Sequence, residues 1–122
     1  MNKAVVLDTV KKLGSLKDID ISILVKKNGD IIASAGHDVF ISLETFGIMS
    51  ATIFGAANTA NEHLDKENPD RIVIRSKDGD TVIKGVDNDY ILVIRSKKTK
   101  NFKKILRNMD KAIDHLRENM GA

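Results

Sequence analysis

The chain has 122 residues with one proline and no cysteine, and 42% of it is apolar and 30% charged. These proportions exclude disordered and collagen-like chains, and the missing thiols exclude disulfide scaffolds, cysteine-ligated metal sites and thiol catalysis. The net charge of +3 is unevenly divided, with seven bases against ten acids in residues 1–70 and 13 against six in residues 71–117, so the basic character lies toward the C-terminus.

The length predicts a single domain over residues 1–122. The longest nearly apolar run, Ile48 to Ala57, falls well short of the ~20 residues that span a bilayer. The opening residues reach Asp8 too early for a signal peptide, and Asn2 rather than glycine follows Met1, so neither export nor N-acylation is expected. The expected location is the cytoplasm.

Lys3 to Ser15 places Val6, Val10 and Leu13 on one helical stripe, and Gly14-Ser15 closes it. Ile19, Ile21, Ile23 and Val25 then alternate with Asp20, Ser22, Leu24 and Lys26, which predicts a strand. Asn28-Gly29 reads as a hairpin turn with positive φ at both positions, and Ile31 to Ala35 as the returning strand.

A long helix is expected from about Ser42, its cap, to Leu64, before Asn68-Pro69. Leu43, Phe46, Ser50, Ile53, Ala57, Ala60 and Leu64 repeat in steps of three and four, so they are expected to face the sheet. Gly47, Ala51 and Gly55 flank that stripe as a ridge of minimal side chains. Such a ridge allows close helix packing, on the chain's own sheet or across a dimer. Glu44, Ile48, Thr52, Thr59 and Glu62 are expected to point away.

Three more strands follow: Arg71 to Ser76, Thr81 to Val86, and Tyr90 to Ile94. The last is apolar at every position and belongs in the middle of a sheet covered on both faces. Phe102, Ile105, Leu106, Met109, Ile113 and Leu116 mark a final helix. The fold class is therefore α+β, in the order α-β-β-α-β-β-β-α. A five-stranded, largely antiparallel sheet carries helices on both faces.

Chemically the chain is sparse. It has no phosphate-cradling glycine motif, and His37, His63 and His115 lie apart without metal-binding spacing. Asp78-Gly79-Asp80 and Asp87-Asn88-Asp89 lack the spacing of a calcium loop and read as turns. No enzymatic activity, metal or cofactor is expected. Val-Ile-Arg-Ser-Lys occurs twice, at 73–77 and 93–97. The meander brings Arg75 and Arg95 to one end of the sheet, either as ordinary strand ends or as a basic rim. Five lysines fall within residues 97–104, with Arg107 beyond. An aromatic content of 4% makes a solvated basic loop the preferred reading, and nucleic acid is not the expected partner.

Element order and three stretches together resemble the roadblock family, which includes the roadblock-type dynein light chains. The stretches are ISILVKKNGDIIASAG at 21–36, ETFGIMSATIFGAANTANEHL at 44–64 and RIVIRSKDGDTVIKGVDNDYILVIRS at 71–96. The resemblance spans Val5 to Leu116 and points to the prokaryotic branch, whose members accompany small GTPases. It implies a non-enzymatic regulatory or scaffold subunit that forms a homodimer and binds a Ras-like small GTPase. It further implies pairing through the long helix and the strand at 71–76. Gly47, Ala51, Phe54, Gly55, Arg71, Val73 and Arg75 would then lie at the dimer interface. Glu44, Ile48, Thr52, Thr59 and Glu62 would face the GTPase. Two other functions compete: a profilin-like small-molecule sensor, and a basic adaptor for nucleic acid or anionic membrane through residues 97–107.

Overall fold

A computed structural model describes residues 1–36 and 42–121 of the chain. Helix α1 (Lys3–Gly14) leads into the hairpin β1 (Ile19–Lys26) and β2 (Ile31–Gly36). Helix α2 (Leu43–His63) follows, then the meander β3 (Arg71–Ser76), β4 (Gly79–Gly85) and β5 (Tyr90–Lys97), and helix α3 (Phe102–Met120). The fold is α+β in the predicted order. Its five strands lie in the order β2-β1-β5-β4-β3, and every neighbouring pair is antiparallel.

β5 sits at the centre because its residues Ile91 to Ile94 are all buried, so it needs cover on both faces. On one face, Leu24, Leu92 and Ile94 pack with Val6, Val10 and Leu13 of α1 and with Ile105, Met109, Ile113 and Leu116 of α3. On the other, Ile21, Ile23, Val25, Ile83, Ile91 and Val93 pack with Ala51 and Phe54 of α2. The edges are β2 and β3, and in β3 every residue except Ile72 is exposed.

Polar contacts fix the helices in place. The Asn2 side chain caps α1 by accepting from the Val5 amide, and the Ser42 hydroxyl caps α2 by accepting from the Thr45 amide. Lys84 of β4, largely buried, reaches Asp110 of α3 at 2.7 Å. Arg117 donates to the Val86 carbonyl at 2.7 Å and so ties the end of α3 to the sheet. Gly14 lets the end of α1 lie directly on the hairpin, since a Cβ there would stand 2.7 Å from the Ala35 Cβ.

Two local expectations are corrected. In the β1–β2 turn only Gly29 has positive φ, at 100°, and Asn28 does not. The Gly29 amide donates to the Lys26 carbonyl, and the Lys26 amide donates to the Asp30 carbonyl. The loop is thus a tight turn followed by a left-handed glycine bulge, with the register shift at Leu24/Val25. The second correction is the rotation of α2. Leu43, Phe46 and Ser50 of the expected stripe do pack toward the sheet, but Gly47, Ala51 and Phe54 are buried there with them, while Ile53, Ala60 and Leu64 are exposed. The face toward the sheet is turned by roughly a sixth of a revolution from the expected one, at 100° per residue.

Candidate protein-interaction surface

The rotation of α2 redistributes the residues expected at a dimer interface. A Cβ on Gly47 would stand 3.1 Å from Ile31 Cγ1, and one on Gly85 would stand 3.3 Å from the Phe54 ring. Gly47, Ala51 and Phe54 are therefore packed against the chain's own sheet and do not form an outward ridge. They are small or flat because α2 lies close to β2 and β4 there. Gly55 alone of the ridge faces outward, and a Cβ there would meet nothing within 4 Å.

Glu44, Ile48, Thr52, Thr59 and Glu62 are all exposed, as expected. The outward side of α2 nevertheless carries more apolar surface than the sequence pattern led one to expect. Met49 is 59% exposed, Ile48 50% and Ile53 37%. On the β3 edge, Val73 and Ile74 are also exposed. Register places Ile74 opposite Thr81 and Ile72 opposite Ile83, so both point to the α2 face. Val73, opposite Val82, points to the other face, with Arg71 and Arg75. Met49, Ile53 and Ile74 were not among the expected interface residues. The signal that could have found them is the excess of large apolar residues around α2, too many for one buried face.

The end of the sheet where β3 turns into β4 is polar and tightly paired. Arg75 directs its guanidinium onto Asp80, at 3.3 Å from Nε and 3.2 Å from Nη2, and lies 4.5 Å from the centre of the Phe102 ring. Lys98 reaches the same carboxylate at 3.1 Å. The Asp80 side chain has no exposed surface. Burial by itself would raise its pKa, but Arg75 and Lys98 outweigh that and hold it below the usual carboxylate range. Arg95 pairs with Asp78 at 3.3 Å. The pKa of Asp78 is lowered, first by the Ser76 hydroxyl and then by Arg95 among its side-chain partners.

Arg75 and Arg95 do lie at one end of the sheet. Arg75 opposes Asp80 and Arg95 opposes Thr81, so the two side chains leave on opposite faces. Each is engaged by an aspartate, Arg75 by Asp80 of β4 and Arg95 by Asp78 of the turn before it, which corrects the idea of a shared basic rim. Gly79 is required between those aspartates, because a Cβ there would stand 2.3 Å from the Ser96 carbonyl oxygen.

Among the described residues no cluster of His, Asp and Glu has the arrangement of a metal site, and His37 lies outside them. Asp87 accepts from the amides of Asp89 and Tyr90, which is a plain turn. No described helix is long and apolar enough to cross a membrane.

Comparison with known proteins places this architecture. MglB of Myxococcus xanthus superposes with a TM-score of 0.89 at 18% identity, covering 97% of this chain and 89% of that one. The gliding protein mglB of Thermus thermophilus gives 0.86 at 12% identity, with 96% and 89% covered. A Roadblock/LC7 domain of Streptomyces avermitilis gives 0.81 at 9%, with 94% of each chain covered. At these identities the likeness is one of fold. No curated protein matches the sequence. The sequence profile of the Roadblock/LC7 domain matches residues 5–96, and the chain belongs to that family.

Proposed function

We propose that the chain is a non-enzymatic homodimeric subunit that binds a Ras-like small GTPase and regulates or scaffolds it. The observation that carries this reading is the exposed apolar surface of α2, which lies on the same face of the sheet as Ile74 of the free edge strand β3. Ile48, Met49 and Ile53 stand exposed on that helix, and of the two exposed apolar residues on the edge strand Ile74 is on the same face of the sheet. An apolar face and an unpaired edge together are a liability in an isolated protomer. Pairing β3 with its symmetry copy would satisfy the edge and cover Met49, Ile53 and Ile74. The two α2 helices would then lie side by side and present Ile48, Thr52 and Thr59 from both copies.

Family membership supports the same reading, because roadblock domains are partners of small GTPases. Ile48 is the side chain to test, being large, apolar and half exposed on an otherwise polar or small flank. Ile48→Asp should weaken binding to the cognate GTPase by about tenfold or more, which corresponds to ~1.4 kcal/mol. Light scattering and the melting temperature should stay unchanged. If Ile48→Asp binds like the parent while charge reversal at Lys97, Lys98, Lys100, Lys103 and Lys104 abolishes binding, the GTPase contact belongs to the basic segment instead.

A further inference from the structure

We propose that the basic end of the α1–α3 layer is a docking surface for an anionic lipid bilayer. Its presentation in two copies rests on the dimer reading above. α1 and α3 run antiparallel. At one end the Asn2 amide donates to the Asn119 carbonyl at 2.9 Å. At the other the Lys97 amide donates to the Asp18 carbonyl at 2.7 Å, and Leu13 shares a core cluster with Ile105. The end of α1 and the loop after it therefore lie beside residues 97–107. Two runs of cations separated by more than 80 positions in the chain merge into one surface.

Lys11, Lys17, Lys100, Lys103, Lys104 and Arg107 are exposed there, and no carboxylate of the described residues lies within ion-pair reach of them. They differ in this from Arg75, Arg95 and Lys98, whose charges Asp78 and Asp80 engage. Five of the six are lysines, which act as mobile point charges rather than planar forks that read one phosphate. Such an array suits a field of headgroups. Leu16, 38% exposed, adds one apolar side chain beside Lys17.

Nucleic acid fits the surface less well. Phe102, the aromatic residue of the segment, is half-buried with the Arg75 guanidinium over its ring, so it offers no stacking platform.

The sheet's symmetry adds the geometry. Two antiparallel β3 edges continue one sheet only through a two-fold axis perpendicular to it. Both α1–α3 layers then share one side, and both α2 helices the other. A dimer would present two basic surfaces to a bilayer and its helical pair to a protein partner on the far side. Two linked contacts raise apparent affinity by about 10²–10⁴ when both engage.

The test is co-sedimentation of the full chain with vesicles of phosphatidylcholine, with and without about 30 mol% phosphatidylglycerol. Binding is expected only to the anionic vesicles at about 0.1 M salt, and should be lost near ~0.5 M as the Debye length shrinks. The triple variant Lys100→Glu, Lys103→Glu, Lys104→Glu should lose about tenfold or more of that binding with its circular dichroism unchanged. If it does not fold, Lys11→Glu with Lys17→Glu tests the same surface from α1. Undiminished binding by a folded variant overturns the proposal. So does equal binding to neutral vesicles, or preference for a single-stranded oligonucleotide at the same salt. Light scattering separates the two readings: a dimer that stays off the vesicles overturns this one alone. A monomer that binds anionic vesicles upholds this surface and overturns the dimer.

Discussion

Asp80 is the most constrained charged side chain described, wholly buried between two half-exposed cations. A carboxylate in that position holds three segments together: β3 through Arg75, its own strand β4, and the β5–α3 connection through Lys98. Because its folded pKa is depressed, its contribution to stability is present above the unfolded value of about 3.9 and is lost as pH falls through the folded value. Asp80→Asn should therefore cost about 1–2 kcal/mol at neutral pH, the figure kept small because Arg75 and Lys98 are half in solvent. Urea denaturation of parent and variant from pH 7 to pH 2 should show the gap closing below pH ~4. A gap that stays constant over that range would mean the charge itself contributes nothing. Read from sequence, this residue was an ordinary turn aspartate. Its importance comes from a register that no local pattern encodes, which sets Arg75 opposite it and leaves Lys98 within reach.

Helices α2 and α3 show what sequence periodicity can and cannot convey. α3 has one apolar stripe, and the five residues buried on it follow the 3.6-residue period, so its inward face was legible. α2 is apolar or small around most of its circumference, because its sheet side had to be small for close approach while its outer side is apolar as well. A periodic reading picks the bulkier residues as buried, and in α2 the bulkier residues are partly the outer ones. The strands were legible because burial on both faces of β5 and the alternation in β1 are local properties. The conformation of the β1–β2 turn was not, since Asn-Gly serves several loop geometries. α3 also carries a local conflict: its first turn has Lys103 and Lys104, no acid and no side-chain cap. Cations at the positive end of a helix dipole are unfavourable by a few tenths to about 1 kcal/mol. Lys103→Glu should accordingly raise the melting temperature by about 2–5 °C in low salt, read by circular dichroism, and the gain should shrink as salt is added. An unchanged or lowered melting temperature would show that Lys103 makes a stabilising contact of its own.

At the scale of the molecule, the sheet separates two chemistries. The α1–α3 side is a closed apolar core with a charged exterior, and the α2 side ends in apolar surface that the chain itself leaves uncovered. If a second copy covers it, folding and association are linked, and the melting temperature must rise with protein concentration. The double variant Ile53→Asp, Ile74→Asp places two carboxylates on the exposed apolar surface without touching either core cluster. It should stay folded, lose the concentration dependence and scatter light as a monomer. Gly55→Leu tests the opposite flank of α2 by bulk, since residues two apart on a helix lie about 160° apart around its axis. A Cβ there meets nothing within 4 Å in the chain, and Gly55 is exposed, so the variant should fold normally and be defective only in assembly. Replacing a helical glycine should even favour the isolated helix by up to ~1 kcal/mol. A parent that is monomeric at tens of micromolar, with a melting temperature independent of concentration, would leave the α2 surface free to bind a different protein directly.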